Sequence, residues 1–242
     1  MNGKIFRSCP ICLSSRIKLV FPATTIPVYS YQVQVTEKYF GLHGDLVRCK
    51  SCGFTFIGRE PFAKKIVGLY KNMSDAVYLQ EENERRRSFI SVLKEIKSLK
   101  KGKKGNILDI GCCTGGLLVE AKKRGWEVVG VDPSQWAVKM ANKLHNLKVY
   151  NGIIESYKAP KNSFDAITML DVLEHVINPR TLLLKVNDLL KPSGILCIVT
   201  PDYGSLTARL LGKRWWGVRL AHLSYFRKED LYNIIQEAGF QI

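Results

Sequence analysis

The segment NILDIGCCTGG, Asn106 to Gly116, runs a short apolar strand-like stretch into a turn of small residues. Soon after it, EVVGVD carries a second apolar run to an acidic end at Asp132. Between the two lies the helical pattern LLVEAKKRG, and after them follow SQWAVKMANKLH, LKVYNG, FDAITML, PRTLLLKVNDLLKPSG, ILCIVT and KEDLYNIIQEAGF. Parallel strands need long crossovers, and both faces of a parallel sheet need covering. This alternation therefore predicts a doubly wound α/β domain over residues 106–242, with ligands at the carboxyl ends of the strands.

The turn GCCTGG narrows the chemistry. Glycine permits a sharp turn and a close approach of ligand to backbone, and Asp109 puts a carboxylate beside that approach. Asp132, at the end of the next strand, is placed to accept hydrogen bonds from both hydroxyls of a ribose. Together they predict an adenosine-type cofactor. From Gly111 the pattern reads G-x-C-x-G-G, a poor fit to the dinucleotide fingerprint G-x-G-x-x-G. Cys113 stands where a glycine is expected; a Cβ is tolerated at negative φ, so the expectation is a negative φ there and a site that still binds. Cys112 and Cys113 read as small packing residues, since vicinal cysteines rarely close a ring.

Residues 1–60 carry two further cysteine pairs, CPIC (Cys9, Cys12) and CKSC (Cys49, Cys52). Two such knuckles supply four thiolates to one tetrahedral ion, which predicts a closed structural zinc site in a small β domain; two unrelated pairs or a redox pair are the alternatives. Between the knuckles, Tyr29, Tyr31, Val33 and Val35 alternate at strand period. Residues 61–105 read as an amphipathic helix and linker, with Phe89, Val92, Leu93, Ile96 and Leu99 on one face. Arg85, Arg86 and Arg87 either meet phosphates or pair with Glu81 and Glu82 on a solvated face.

Charge is uneven along the 242 residues. Of the net +16, +12 belongs to residues 1–105 and +4 to residues 106–242. Such a bias suits an anionic partner, whether RNA, a charged small molecule or an acidic surface, and equally a solvated lysine-rich surface. No apolar run is long enough to span a bilayer and MNGKIFRSCP lacks a secretory core, so a cytoplasmic protein is expected.

The set LDIGCCTGG, VVGVDPS, FDAITMLDVLEHVINP and LKPSGILCIVTPD resembles, in order and spacing, the motifs of class I S-adenosylmethionine-dependent methyltransferases, of the type 11 and 23 kind. The cysteine pairs, the Arg-rich helix and GKRWWGVRLAHLSYF resemble a subgroup with an N-terminal zinc ribbon, linked to polysaccharide or small-molecule modification. The resemblance implies S-adenosylmethionine as cofactor: Asp109 and Gly111 beside its amino-acid part, Gly115 at the close approach, Asp132 on the ribose, and Gly152, Ile153 and Ile154 around the adenine. Ile153 stands where the family commonly has an acidic residue, and Glu155 follows two positions later. Leu170 and Asp171 are expected to line the floor.

On the acceptor side, His175 is a candidate base or a helix-start residue, and His222 a second candidate base or a turn cap. Trp215, Trp216 and Tyr225 are expected to wall an acceptor lid or stack on a ring, with one tryptophan in the core, and Arg214, Arg219 and His222 to meet an anionic group. The expected reaction is methyl transfer to a small-molecule or glycan-linked, anionic acceptor. The rivals are an RNA methyltransferase using the basic N-terminal half, although no RNA-binding module is recognisable, and a non-catalytic binding module. The usual fold continues past EAGFQI into two more strands. Stopping there leaves a sheet edge to be covered, by residues beyond this sequence or by a partner.

Overall fold

The computed structural model describes residues 6–24, 34, 36 and 40–242. Tyr29, Tyr31, Val33 and Val35, expected to form a strand, lie outside the described residues. The first elements are the strands β1 (Ile17–Phe21), β2 (Leu46–Cys49) and β3 (Thr55–Ile57), followed by the helices α1 (Glu60–Tyr70), α2 (Ala76–Gln80) and α3 (Glu82–Leu99). Then come β4 (Asn106–Ile110), α4 (Gly116–Lys123), β5 (Glu127–Asp132), α5 (Gln135–His145), β6 (Val149–Asn151) and β7 (Phe164–Leu170). The chain continues through α6 (Pro179–Leu189), β8 (Leu190–Val199), α7 (Leu206–Leu211), β9 (Ser224–Tyr225) and α8 (Lys228–Glu237).

The large sheet has the order β6-β5-β4-β7-β8 and every pairing in it is parallel. Strand order reverses beside β4, so the ends of β4, β5 and β7 open a crevice there. Successive residues of a strand face opposite ways, and the core divides accordingly. Leu108, Ile110, Ile167 and Met169 pack towards α6 and α8, with Leu182, Leu183, Val186 and Ile234. Ile107 and Ala166 pack on the other face with Leu93 and Ile96 of α3 and Leu117 and Ala121 of α4. Burying Leu93 and Ile96 contributes roughly 1.5–3 kcal/mol each. Leu99, expected on that face, is the last residue of α3 and is 64% exposed. A buried carboxylate fastens α3 to α4: Glu120 accepts from Arg86, Lys123 and Arg124, and these cations hold its carboxyl down at about 2. β8 forms the sheet's edge, paired with β7 alone among the described residues.

The smaller sheet is antiparallel, β1-β2-β3-β9. Its last strand comes from residues 224–225, far along the chain, and pairs with Thr55 and Phe56 of β3. The cysteine-bearing unit is therefore stitched into the α/β domain. Phe54 and Phe56 pack against Phe226, in the same core cluster as α8. Among the described residues, no helix is long and apolar enough to cross a membrane.

Candidate functional site

One cleft of about 640 Å³ opens at the carboxyl ends of β4, β5 and β7. The two carboxylates expected at strand ends both reach it. Asp109 accepts from Thr168 Oγ1 at 2.6 Å, and burial, with the neighbouring Asp132, pushes its carboxyl up to about 7. Asp132 accepts from the backbone N–H of Cys113 and of Ser134, both at 2.8 Å. Those two bonds orient the Asp132 carboxylate and favour its charge, but burial outweighs them and raises it to about 6.

In the turn between β4 and α4, Gly111 lines the cleft, whereas Gly115, expected at the close approach, is not among the residues that line it. Gly111 and Gly115 have φ of +70° and +85°, in the left-handed region. An added Cβ would stand 2.5 Å from Val172 at the first and 2.4 Å from Leu147 at the second. The expectation of negative φ at Cys113 is overturned: φ is +47°. In that conformation its N–H points at Asp132, and its side chain packs with Met73, Tyr78 and Ala137. A non-glycine left-handed residue costs about 1–3 kcal/mol, offset here by the hydrogen bond and the buried thiol. Cys113→Gly is expected to stay within about 1 kcal/mol of wild type, because relief of strain offsets lost packing. Cys113→Val, β-branched in a left-handed turn, is expected to lose about 2 kcal/mol or more in a urea titration. A valine variant as stable as wild type would show that the turn carries no strain.

The remaining cofactor-side candidates also line the cleft: Gly152, Ile153 and Ile154 with Glu155, and Leu170 with Asp171 at the end of β7. Ile153 is 46% exposed, open to a flat apolar partner. Asp171 has φ of +53°; burial raises its carboxyl, and Arg85 and Arg219 draw it back down.

Facing them, Glu174, His175 and His222 bring one ligand atom each within 4.8 Å of one another. His175 Nδ1 lies 2.9 Å from the Ala221 carbonyl and 2.6 Å from the Tyr70 hydroxyl. His222 Nδ1 lies 2.8 Å from the Gly217 carbonyl. Burial lowers His175 to about 4 and His222 well below its ordinary value, and burial with Asp171 nearby raises Glu174 to about 8. Of the expected acceptor lid, Trp216 and Arg219 reach the cleft. Trp215 and Tyr225 do not: both are buried in the cluster around β2, β3 and α1, because β9 pairing draws this segment inward. Arg214 lies on the exposed surface. The sequence reading missed Tyr70, Tyr78 and Glu174, which line the cleft with Arg85. Arg85 bonds Glu81 at 2.9 Å and its guanidinium lies over the Tyr78 ring, while Arg86 reaches Glu120 instead.

The four N-terminal cysteines converge as well. Their sulfurs all lie within 4.8 Å of one another, with Cys9 to Cys52 at 3.6 Å and Cys12 to Cys49 at 3.5 Å. Tetrahedral zinc with bonds of about 2.3 Å separates its sulfurs by about 3.7 Å, so the donor set fits that ion.

Residues 76–242 match the family described as "Methyltransferase domain". The chain belongs to this family. The match begins at α2, whose Tyr78 lines the cleft together with Arg85 of α3. The chain is 33% identical over 147 residues to a ubiquinone biosynthesis O-methyltransferase of Cereibacter sphaeroides, an alignment covering 55% of this chain and 59% of that one. It is 36% identical over 138 residues to the mitochondrial enzyme of that name from Schizosaccharomyces pombe, covering 53% and 48%. The chain thus spans only about half to three-fifths of these relatives' length. Among solved structures it resembles a SAM-dependent methyltransferase of Archaeoglobus fulgidus (TM-score 0.56, 25% identity, 69% of this chain and 75% of that one). It also resembles a possible histamine N-methyltransferase of Thermotoga maritima (TM-score 0.51, 26% identity, 69% and 81%). The fold is that of a class I SAM-dependent methyltransferase carrying a small zinc-ribbon-like β unit.

Proposed function

We propose that the chain transfers a methyl group from S-adenosylmethionine to an oxygen of a small, anionic acceptor. The observation that carries this reading is the pair of buried carboxylates, Asp109 and Asp132, at neighbouring strand ends beside the turn that starts at Gly111, in one cleft with Trp216 and Arg219. The cofactor supplies a methyl group already activated on a sulfonium sulfur. Asp132 holds the ribose diol, and Asp109 meets the cationic amino group. Gly111 admits the amino-acid part, while Gly152, Ile153 and Ile154 flank the adenine beside Leu170 and Asp171. Trp216 closes over the acceptor and excludes water, and Arg85 and Arg219 attract its negative charge. His175 and His222 face the acceptor oxygen. Alignment of that oxygen with the methyl carbon is the main contribution left to the protein. The oxygen preference draws support from relatives named O-methyltransferases.

In this reading residues 1–60 are a structural unit closed by zinc on Cys9, Cys12, Cys49 and Cys52. Residues 61–105 are the helical connection and residues 106–242 the cofactor unit. Thiolates kept reduced for a metal suit the cytoplasm. Label from methyl-tritiated S-adenosylmethionine, added with the protein to a cell extract, is expected in the small-molecule fraction. Label in RNA would overturn the acceptor class in favour of the basic N-terminal surface as an RNA site.

Binding is expected to depend on pH. Burial raises Asp132 to about 6 and Asp109 to about 7, so both are increasingly protonated as pH falls through that range. A cofactor that needs both as carboxylates then binds less tightly. Its Kd is expected to rise at least about tenfold from pH 7.5 to 5.5. The stability of the free protein moves the other way. Carboxyls with raised folded-state values contribute most at low pH and lose that contribution as pH rises through 6 and 7. Calorimetry and melting curves across this range read the two opposite slopes, and a pH-independent Kd would remove both carboxylates from cofactor binding.

A further inference from the structure

We propose that Glu174, His175 and His222 hold a divalent metal ion on the acceptor side of the cleft, with open positions for oxygens of the acceptor. Two imidazoles and one carboxylate within 4.8 Å of one another are spaced to share an ion at bonds of about 2.0–2.2 Å.

The tautomers suit the role. A carbonyl oxygen only accepts, so the His222 Nδ1 beside Gly217 carries the proton, and so does the His175 Nδ1, which lies between the Ala221 carbonyl and a Tyr70 hydroxyl that can accept as well. Each ring is thereby left with its Nε2 lone pair uncommitted, and backbone carbonyls behind both rings fix their orientation. Outer-shell partners of this kind commonly accompany metal-bound histidine.

The carboxylate supplies an independent observation. Glu174 is 2% exposed. Its Oε2 accepts from Thr200 Oγ1 at 2.8 Å, whereas its Oε1, 3.9 Å from His175 Nε2, is buried with no hydrogen-bond partner among the described residues. A buried oxygen without a partner is left undersolvated, and a cation shared with the two imidazoles removes that penalty.

The backbone holds the three ligands together. Glu174 and His175 lie in the 3-10 turn Leu173–His175. The Leu223 N–H donates to the Glu174 carbonyl at 2.7 Å, and β9 begins at the next residue. The pairing of β9 with β3 therefore sets His222 against Glu174.

Three protein ligands leave positions open, unlike the four thiolates of the N-terminal site, which close their ion. The ion's role, though not its existence, rests on the methyl-transfer reading. An acceptor with two neighbouring oxygens, such as a vicinal diol or a hydroxy-carbonyl group, would chelate it. A bound hydroxyl then loses its proton to solvent near neutral pH. The resulting oxygen bonds to the methyl carbon as the carbon–sulfur bond breaks, and that electron pair returns to sulfur. The products are a methyl ether, the neutral thioether and one proton.

The test uses the full chain with zinc left on its cysteines, where Mn2+, which favours oxygen and nitrogen donors, competes poorly. Electron paramagnetic resonance of free Mn2+ during titration is expected to show one ion bound per chain. Glu174→Gln keeps the side-chain size and the Thr200 contact, and His222→Asn is the second variant. Each is expected to weaken Mn2+ binding at least tenfold while S-adenosylmethionine affinity stays within about threefold, which reports an intact fold. Two results would overturn the site: a wild-type chain that binds S-adenosylmethionine but neither Mn2+ nor a second zinc, or Mn2+ binding unchanged in both variants. Mn2+ binding without S-adenosylmethionine binding would leave the metal site standing and remove the methyl-transfer reading.

Discussion

Asp132→Ala is expected to weaken S-adenosylmethionine binding by roughly 30- to 100-fold, measured by calorimetry at pH 7.5. Two hydrogen bonds from ribose hydroxyls to one carboxylate are charge-assisted, and losing both removes about 2–3 kcal/mol. The same side chain also organises the turn, since it accepts from the N–H groups of Cys113 and Ser134. Alanine strands both donors in a site where Asp132 was 5% exposed, so stability is expected to fall by about 1–3 kcal/mol as well. Asp132→Asn separates the two effects: it keeps one acceptor oxygen and loses the charge, which places its affinity between wild type and alanine. An alanine variant that binds as tightly as wild type would take Asp132 out of the ribose site.

The second large effect is expected at the N-terminal cysteines. Cys49→Ser should lower zinc content from one ion per chain to near none and lower the melting temperature by about 10 °C. Losing a structural zinc ligand removes several kcal/mol, and for a chain of this size each kcal/mol shifts melting by about 2–4 °C. The damage should spread beyond residues 1–60. Cys9, Cys49, Phe54 and Phe56 share one core cluster with Phe226 and Ile234, and β3 holds β9 beside the residues that place His222. Cofactor binding is expected to survive better than acceptor turnover, because Asp109 and Asp132 sit on strands of the large sheet, which pairs with no strand of the small one. Full zinc loss with an unchanged melting curve would show that the knuckles carry no structural load.

The parts of this architecture that were legible in the sequence are those set by neighbours in the chain. The five parallel strands follow from local periodicity, and Asp109 and Asp132 follow from strand ends. The two cysteine pairs were legible as donors by spacing, and their convergence is a tertiary fact. Cys113 was misread because its left-handed backbone is imposed by Asp132, a partner 19 positions away. Trp215 is the one tryptophan expected in the core, while Tyr225 was misplaced into the lid for a similar reason. A two-residue strand has no period to detect, and only its pairing with β3 draws that segment into the core. Glu174 was overlooked beside the more conspicuous His175; its burial comes from Thr200 and the 217–223 segment folding over it, which no local pattern announces. Arg85 was left open between phosphate contact and pairing with Glu81 or Glu82; it pairs with Glu81 and also lines the cleft.

The central claim is that this cleft is an S-adenosylmethionine site, and direct titration of S-adenosylmethionine into the full chain at pH 7.5 tests it. The expected result is one site per chain, with a melting curve raised by about 2.7 kcal/mol of added stability at a hundredfold excess over Kd. A folded chain that gives no binding heat and no melting shift at millimolar S-adenosylmethionine would contradict the account and leave a methyltransferase fold serving another purpose.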